Sequence, residues 1–203
     1  MSKAIILAGC NGVGKSTVID ILLQDEELKL TRFPRHTTRK IRDGETNGIQ
    51  YIFVDDEEFD VLVQAGDFID IDEFPSGKYG TSKSSLKKWL ANGYLIFEVD
   101  PENALVLKKA FLEMDISVTD IFIQPMETEY LCQNGGLTEA LALLEKRLRE
   151  KKLDEYVIED RIHEASTRLF MGSQFSNIVI NQQGQLEKTV SEIKRLIKGG
   201  KAK

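Results

Sequence analysis

Residues 9–16 read GCNGVGKS and combine a lysine and a hydroxyl group with three glycines. They satisfy the pattern G-x-x-x-x-G-K-[ST] at every fixed position. In such a loop the glycines let successive backbone N–H groups point at phosphate oxygens, Lys15 reaches the β- and γ-phosphates, and the Ser16 hydroxyl ligates Mg²⁺. A chance glycine-rich turn is the alternative, but this pattern follows a buried apolar run and opens a helix, as a phosphate loop requires. The stretch therefore predicts a phosphate-binding site.

Two carboxylates close a second buried run, LIFEVD, which ends with Glu98 and Asp100. Residues two apart in a strand point to the same face. A carboxylate at such a strand end commonly holds Mg²⁺, often through a water molecule. A pair of solvated strand-end charges is the alternative. We expect one of the two carboxylates to have a functional role. We assign the metal to Ser16 and Asp100. Contact with substrate is the other role open to Glu98 and Asp100.

The stretch RFPRHTTRKIRDGETNG, residues 32–48, gathers four arginines and a lysine in a chain whose formal net charge is −6. A nucleic-acid patch, a solvated surface and a pocket for one small anion are all open interpretations. Guanidinium groups bind phosphate in a bidentate manner and a phenol can add a hydrogen bond, so a socket for a monophosphate could be made by Arg39, Arg42, Tyr51 and Tyr79. On the residues alone the solvated surface stays open, because arginines in exposed loops usually face only water.

The composition is that of a soluble globular protein. The 203 residues suffice for one domain, or one core domain with smaller inserted modules, and 41% of them are hydrophobic and 30% charged. The apolar runs AIILA and YLIF are too short to span a bilayer, and MSK leads straight into the first of them without a signal peptide. Two cysteines give neither a disulfide framework nor metal-ligand spacing. We therefore expect a cytoplasmic protein, and its negative charge favours binding neither nucleic acid nor membrane.

The elements that must position these groups alternate between buried strands and helices. Apolar runs predict strands at residues 4–8, 50–54, 94–100, 120–125 and 177–181. Helical periodicity occurs at residues 16–24, 55–66, 82–93 and 139–172, and in a last helix striped by Leu186, Val190, Ile193 and Ile197. This order predicts an α/β protein whose parallel sheet is covered on both sides. The polar block at residues 35–81 interrupts the order, and we interpret it as an inserted module.

This block also resembles a known family. HTTRKIRDGETNGIQYIFV closely resembles the acceptor-binding segment of guanylate kinases, whose pattern is T-T-R-x-x-R-x-G-E-x-x-G-x-x-Y-x-F. EEFDVLVQAGDFID and GKYGTS resemble the next part of that segment. With the phosphate loop, EVD, the LEKRL and EDRI helices and NIVIN, the resemblance covers nearly the whole chain in order.

The resemblance implies a three-part P-loop kinase. Its core would be a three-layer α/β unit with a parallel sheet, built from residues 1–34, 82–126 and 170–203. A mixed β/α module for the nucleoside monophosphate would occupy residues 35–81, and a helical lid residues 127–169. Such enzymes transfer the γ-phosphoryl group of ATP to GMP or dGMP, with Mg²⁺, to give GDP or dGDP. The partners implied are ATP and a nucleoside monophosphate, GMP above others, and we expect a monomer or a weak homodimer.

On the donor side, the resemblance implies that ATP is bound by the phosphate loop, the residue after it, and an asparagine where the family contacts adenine: Gly9, Asn11, Gly12, Val13, Gly14, Lys15, Ser16, Thr17 and Asn181. The transferring phosphoryl group carries charge on its equatorial oxygens, and cations of the family act on this charge. The resemblance implies that the cations in this chain are Lys15, Arg39, Arg147 and Arg161. For Arg147 and Arg161 the alternative is ordinary ion pairing on a helix surface.

On the acceptor side, the match to the family pattern implies that the phosphate of the monophosphate is held by Arg39, Arg42, Tyr51 and Tyr79. Glu45 would lie near the base or orient the arginines. Asp70 and Thr81 match positions at which the family reads the guanine edge, and a carboxylate suits this task because it accepts from guanine N1–H and from the 2-amino group. Arg35 belongs to the same base-reading wall.

Several positions depart from the family pattern. Arg35 replaces a small serine beside the base, and Asp70 is one methylene shorter than the usual glutamate. Lys151 replaces a lid arginine, PENA at residues 101–104 replaces a glutamine–glycine pair, and residues 125–138 contain an insertion. The phosphoryl-transfer residues are kept and the base-reading residues differ, so the base accepted, and the choice between ribose and deoxyribose, stay open.

Two alternatives follow from these departures. One is a kinase for a different ribo- or deoxynucleoside monophosphate. The other is a catalytically silent protein-interaction module, as some guanylate-kinase-like domains are. Such modules characteristically have a degraded phosphate loop, whereas Gly14, Lys15 and Ser16 are intact here.

Overall fold

A computed structural model describes residues 3–74, 76–90 and 93–199, and its core is a five-stranded sheet. Numbered along the chain and taken in spatial order, the strands are β2 (Leu30–Arg32), β7 (Tyr94–Val99), β1 (Lys3–Ala8), β8 (Ser117–Gln124) and β9 (Asn177–Ile180). Every neighbouring pair is parallel. All five strands therefore end at the same edge of the sheet, where ligands of open α/β sheets bind.

Helices cover both faces of this sheet because alternate residues of β1 point to opposite sides. Ile5 and Leu7 pack in a cluster with apolar residues of α1 (Lys15–Leu23) and α8 (Leu186–Ile197). Ala4, Ile6 and Ala8 pack in a second cluster with residues of α3 (Lys83–Leu90) and α4 (Pro101–Glu113). The three layers confirm the predicted α/β fold with a covered parallel sheet.

A second, mixed sheet is built from the polar block. Its strands, in spatial order, are β4 (Tyr51–Phe53), β3 (Arg35–Thr37), β6 (Gly77–Ser82) and β5 (Phe68–Phe74). The pair β3 and β4 is parallel and the other two pairs are antiparallel. Helix α2 (Asp56–Gln64) packs on it through Phe59, whose ring stacks on Phe68 at 4.5 Å. The block interpreted as an inserted module thus forms a sheet of its own, while the domain boundaries at 35 and 81 stay a prediction.

The region predicted as helical over residues 139–172 contains two helices and a 3₁₀ segment. The short helix α5 (Thr128–Leu131) precedes this region. The two helices of the region are α6 (Gly136–Arg149) and α7 (Glu155–Arg168), and the 3₁₀ turn Leu169–Gln174 follows them. Lys152 has a φ of 53°, a left-handed conformation that cannot continue an α-helix, and it separates α6 from α7. In the described part of the chain no helix is both long and apolar enough to cross a membrane.

Most of the elements predicted from the sequence are confirmed, with shifts of a few residues at their ends. The strands β2, β3, β5 and β6 and the helices α4 and α5 were not predicted, and residues 91–92 of the helix predicted over 82–93 lie outside the described residues. Strand β5, FIDIDEF, alternates apolar and acidic residues, and its sequence was assigned only to the polar block. Helix α4 buries a stripe formed by Ala104, Leu107 and Phe111. Its first residues, PENA, were interpreted only as a departure from the family pattern.

Candidate active site

The phosphate loop connects β1 to α1 through three glycines in left-handed conformations. The φ values are 147° at Gly9, 83° at Gly12 and 103° at Gly14, a region that residues with a Cβ rarely adopt. A Cβ at Gly9 would also lie 2.3 Å from the carbonyl oxygen of Ile123. Lys15 folds back over the loop, and its Nζ donates to the Gly9 carbonyl oxygen at 2.6 Å. The two fixed glycines of the pattern, Gly9 and Gly14, are therefore required by the shape of the loop.

The two strand-end carboxylates contact different groups. The Ser16 hydroxyl donates to Glu98 Oε1 at 2.6 Å. Asp100 instead faces two cations, with Oδ1 3.8 Å from Lys15 Nζ and Oδ2 3.5 Å from Arg168 Nη1. The structure thus places Glu98, and not Asp100, beside the hydroxyl expected to bind metal. Arg168 was missed in the sequence because it lies in a helix rich in charged residues.

The residues predicted to form a phosphate socket, Arg39, Arg42, Tyr51 and Tyr79, include one arginine fixed by its neighbours and one with an exposed side chain. Arg39 donates from Nη1 and Nη2 to the Glu45 carboxylate at 2.9 and 2.8 Å, and from Nε to the Tyr79 hydroxyl at 3.0 Å. Its guanidinium carbon lies 5.1 Å from the centre of the Tyr51 ring. Burial alone would lower the pKa of Arg39, but Glu45 and Tyr79 outweigh it and raise that pKa. Arg42 exposes its side chain, while its backbone N–H donates to Glu45 at 2.8 Å.

Tyr51 links this socket to the core electrostatically. Burial, as the main cause, and the nearby charge of Glu98 raise the pKa of its hydroxyl to about 12. Tyr51 belongs to the mixed sheet and Glu98 to the parallel one. The socket therefore opens toward the edge of the core sheet where the phosphate loop lies.

Positive charges from three parts of the chain converge at that edge. Desolvation lowers the pKa of Lys151, and the charges of Arg161, Lys15 and Arg42 lower it further. Burial lowers the pKa of Arg161, and Arg42 adds to the effect. Cations this close repel one another, so the arrangement is stabilised when an anion lies between them. It is suited to the phosphates of a bound nucleotide.

Arg147 lies apart from this cluster. Its Nη2 donates to the Asn181 carbonyl oxygen at 3.1 Å, and its Nη1 lies 3.5 Å from the Val13 carbonyl oxygen. Asn181 in turn donates from its side chain to the same Val13 oxygen at 2.7 Å. Arg147 and Asn181 thus pack against the outer side of the phosphate loop, whereas Arg161 faces its mouth.

A third set of residues, which we call the base wall, consists of Arg35, Asp70, Asp72 and Thr81. Arg35 Nη2 donates to Asp70 Oδ2 and to Asp72 Oδ2, both at 2.7 Å, and Arg35 Nε donates to Thr81 Oγ1 at 3.1 Å. Asp72 also accepts a hydrogen bond from the side-chain amide of Asn103. The sequence predicted Arg35, Asp70 and Thr81 but missed Asp72, although the alternation of β5 puts residues 70 and 72 on one face.

The central strand of the parallel sheet leads through a glycine-rich phosphate loop into a helix, and a cluster of cations lies at the carboxyl edge of the sheet. These features define a P-loop protein of the nucleotide kinase type. The chain belongs to the guanylate kinase family: the family's sequence model, described as guanylate kinase, matches residues 1–199.

Individual relatives agree with this assignment. A guanylate kinase of Prochlorococcus marinus is 34% identical over 197 residues, which cover 96% of this chain and 96% of that protein. One of Sus scrofa is 36% identical over 155 residues, covering 75% of this chain and 76% of that protein. The crystal structure of guanylate kinase from Anaplasma phagocytophilum matches with a TM-score of 0.67 at 22% identity, over 97% of this chain and 85% of that one, which supports the fold.

Proposed function

We propose that this chain is an active kinase that transfers the γ-phosphoryl group of ATP to GMP or dGMP. The observation that carries the proposal is the convergence on one place of Lys15, Arg42 and Arg161, which come from the phosphate loop, the connection between β3 and β4, and α7. A scaffold that only binds a protein partner has no need to hold these like charges together. The guanylate kinases among its relatives support the same reaction.

In the proposed reaction, an oxygen of the acceptor phosphate attacks the γ-phosphorus of ATP. The bond from that phosphorus to its bridging oxygen breaks, and ADP leaves with the electron pair. The acceptor phosphate is already ionised, so positioning and electrostatics suffice and no general base is needed. Arg39 and Arg42 would hold the acceptor, and Lys15 and Arg161 would stabilise charge on the transferring group.

Mg²⁺ is proposed as the cofactor bound with ATP. Hard oxygen donors suit this ion, and the Ser16 hydroxyl and the Glu98 carboxylate supply two at the edge of the loop, 2.6 Å apart. Within the described residues no group of three or more His, Cys, Asp or Glu side chains could hold a metal alone, so the triphosphate and water would complete the shell. When bound, the ion neutralises phosphate charge. We propose Glu98 for this role, and we propose that Asp100 orients Lys15.

The remaining proposals concern the setting of the enzyme. Both cysteines are free thiols, which suits the cytoplasm. Nucleic acid is not a proposed partner, because three arginines of the basic stretch are already paired with carboxylates. Arg32 pairs with Asp20, Arg35 with Asp70, and Arg39 with Glu45. For the oligomeric state we propose a monomer or a weak homodimer.

The test is a panel of ribo- and deoxynucleoside monophosphates, each incubated with Mg·ATP while ADP formation is measured. GMP and dGMP should give the highest kcat/KM, and chelation of Mg²⁺ should stop turnover. Glu98→Gln should raise the Mg²⁺ concentration needed for half-maximal rate, with Glu113→Gln on the exposed side of α4 as a matched control. A pyrimidine or adenine monophosphate that outperforms GMP would overturn the substrate, and no turnover with any of them would overturn the reaction.

A further inference from the structure

Asp70 lies behind Arg35 in the base wall. Its side chain is 1% exposed, compared with 8% for Arg35. Both of its carboxylate oxygens already accept hydrogen bonds, Oδ1 from the Thr81 N–H at 3.0 Å and Oδ2 from Arg35 at 2.7 Å. A base N–H that approached Asp70 would compete with a charge-assisted bond and would have to displace the arginine first.

Arg35 is held in a single orientation by three partners, Thr81, Asp70 and Asp72. The amide of Asn103 fixes Asp72 in turn. Burial alone would lower the pKa of Arg35, but Asp70 and Asp72 together raise it, so the guanidinium stays charged. Across residues 3–74, 76–90 and 93–199, the hydrogen bonds of Arg35 leave from Nε and Nη2 and none leaves from Nη1. Among these residues, the two N–H groups of Nη1 are thus the uncommitted donors of the Arg35 guanidinium.

A fixed guanidinium recognises purines through their acceptors. Guanine presents O6 and N7 side by side, and arginine binds this pair more often than any other base edge. Adenine keeps N7 but carries an amino group at position 6, whose hydrogens would face the hydrogens of the guanidinium. Hypoxanthine presents the same O6 and N7 as guanine and differs only in lacking the 2-amino group.

We propose that Arg35, anchored by Asp70, Asp72 and Asn103, selects the acceptor by donating to the O6 and N7 edge of a 6-oxopurine. The inference rests on the proposed function, since it concerns the base of the same acceptor. Its consequence is a broader substrate class: the 2-amino group is not read, so monophosphates of guanine and hypoxanthine are both accepted and those of adenine are rejected.

Two matched pairs of acceptors test this in the unmodified protein. The first pair, dGMP and dIMP, differs only in the 2-amino group, and we expect kcat/KM values within about threefold of each other, as for a contact that contributes little. The second pair, dGMP and 7-deaza-dGMP, differs only in N7. Here we expect a loss of about tenfold or more, as for half of a bidentate contact.

The opposite pattern would overturn the inference. If a carboxylate reads the N1 and 2-amino edge, dIMP should fall by about a hundredfold while 7-deaza-dGMP equals dGMP. The turnover of dGMP itself reports separately on the proposed function. Should no turnover occur, that function fails, and calorimetric titration of the same monophosphates into the protein would still decide which edge is read.

Substitution of Arg35 should reverse the pattern. Arg35→Ser frees Asp70, so dIMP should become worse than dGMP and the penalty for 7-deaza-dGMP should shrink. Because this change leaves two buried carboxylates unpaired, Arg35→Lys serves as a second variant that keeps the charge. Lysine has a single nitrogen, which cannot pair with Asp70 and Asp72 and also hold the base edge, so this variant too should lose sensitivity to N7. Arg149→Lys is the control, since Arg149 also bridges two carboxylates but on the protein surface, and its analogue ratios should not change.

Discussion

Arg39 and Glu45 form a two-pronged ion pair in the connection between β3 and β4, with nitrogen–oxygen distances of 2.9 and 2.8 Å. The same Glu45 carboxylate accepts the backbone N–H of Arg42. One acidic side chain therefore sets the positions of both arginines of the phosphate socket. Of the two roles that the family resemblance left open for Glu45, the contacts favour orienting the arginines.

Glu45→Gln should weaken acceptor binding without changing ATP binding. Loss of the charged fork lets Arg39 turn away from the socket, so we expect the KM for GMP to rise about tenfold and kcat to fall severalfold. Stability should drop by about 1–3 kcal/mol, as for a hydrogen bond to a charged group. Steady-state kinetics with each substrate varied in turn, and urea denaturation, measure the two effects; an unchanged KM for GMP would contradict the role given to Glu45.

The same pair makes stability depend on pH in a defined direction. The hydrogen bonds from Arg39 are the main cause that lowers the pKa of Glu45 from its usual 4.5, and the N–H of Arg42 adds to it against the effect of burial. A folded-state pKa below the unfolded one contributes stability that is present above pH 4.5 and is lost as pH falls through the folded value. The difference in free energy of unfolding between the wild type and Glu45→Gln should therefore be constant near neutrality and shrink below that pH.

Arg42→Ala tests the arginine of the socket whose side chain is exposed. Its side chain is exposed, so removal should alter stability by less than about 0.5 kcal/mol. The KM for GMP should rise and kcat should fall together, while the KM for ATP stays the same, because Arg42 is proposed to hold the acceptor and its charge acts on Lys151 and Arg161. Lys40→Ala, an exposed cation two residues away, is the control and should leave all three constants unchanged.

Lys15→Ala should abolish turnover and leave the fold intact. Lys15 bridges the loop carbonyls of Gly9 and Cys10 at 2.6 and 3.3 Å and lies among the converging cations, so it is placed to bind phosphate oxygens once ATP arrives. We expect kcat to fall by about a thousandfold, as for removal of one preorganised charge at a transition state. Circular dichroism should match the wild type, and so should the kinetics of the control Lys109→Ala on α4; retained kcat in Lys15→Ala would refute the loop's role.

Buried apolar runs explain why the core could be predicted from the sequence. The run at residues 4–8 is hydrophobic on both faces and became β1, the central strand, and the spacing of residues 9–16 gave the loop that follows it. The mixed sheet was harder to predict because its inward positions are polar. Strand β3 buries Arg35 and β5 buries Asp70, so the alternation that normally marks a strand carries charge where apolar residues are expected.

Contacts between distant residues that the family pattern does not group could not be predicted. Asn103 lies 31 residues beyond Asp72, and the two meet only because α4 packs beside β5. Arg168 reaches Asp100 because α7 returns to the edge of the core sheet. Arg32 belongs to the basic stretch for which a solvated surface stayed open, but it pairs with Asp20 and is only 18% exposed. Such pairs depend on how elements pack, which one sequence without its fold does not specify.

The two cysteines should differ in reactivity. Cys10 is 1% exposed, and burial, as the main cause, raises the pKa of its thiol to about 12, so the reactive thiolate is scarce near neutral pH. Cys132 is exposed. Iodoacetamide should therefore modify Cys132 in the native protein and both thiols in denaturant, as measured by peptide mass mapping. Modification of Cys10 in the native protein would mean that the phosphate loop opens.

Arg147 and Arg161, expected together at the transferring phosphoryl group, should separate kinetically. Arg161 faces Arg42 and Asp100 at the mouth of the loop, so Arg161→Gln should lower kcat by about a hundredfold with little change in the KM for ATP.

Arg147 donates to the Asn181 backbone on the outer side of the loop, so in the conformation described it supports the loop and does not face the phosphoryl group. Arg147→Gln should chiefly raise the KM for ATP, and Gln183→Ala, which removes another partner of Arg147, should do the same more weakly. Equal losses of kcat in Arg147→Gln and Arg161→Gln, with non-additive effects in the double variant, would mean that Arg147 leaves these contacts and reaches the phosphoryl group during turnover.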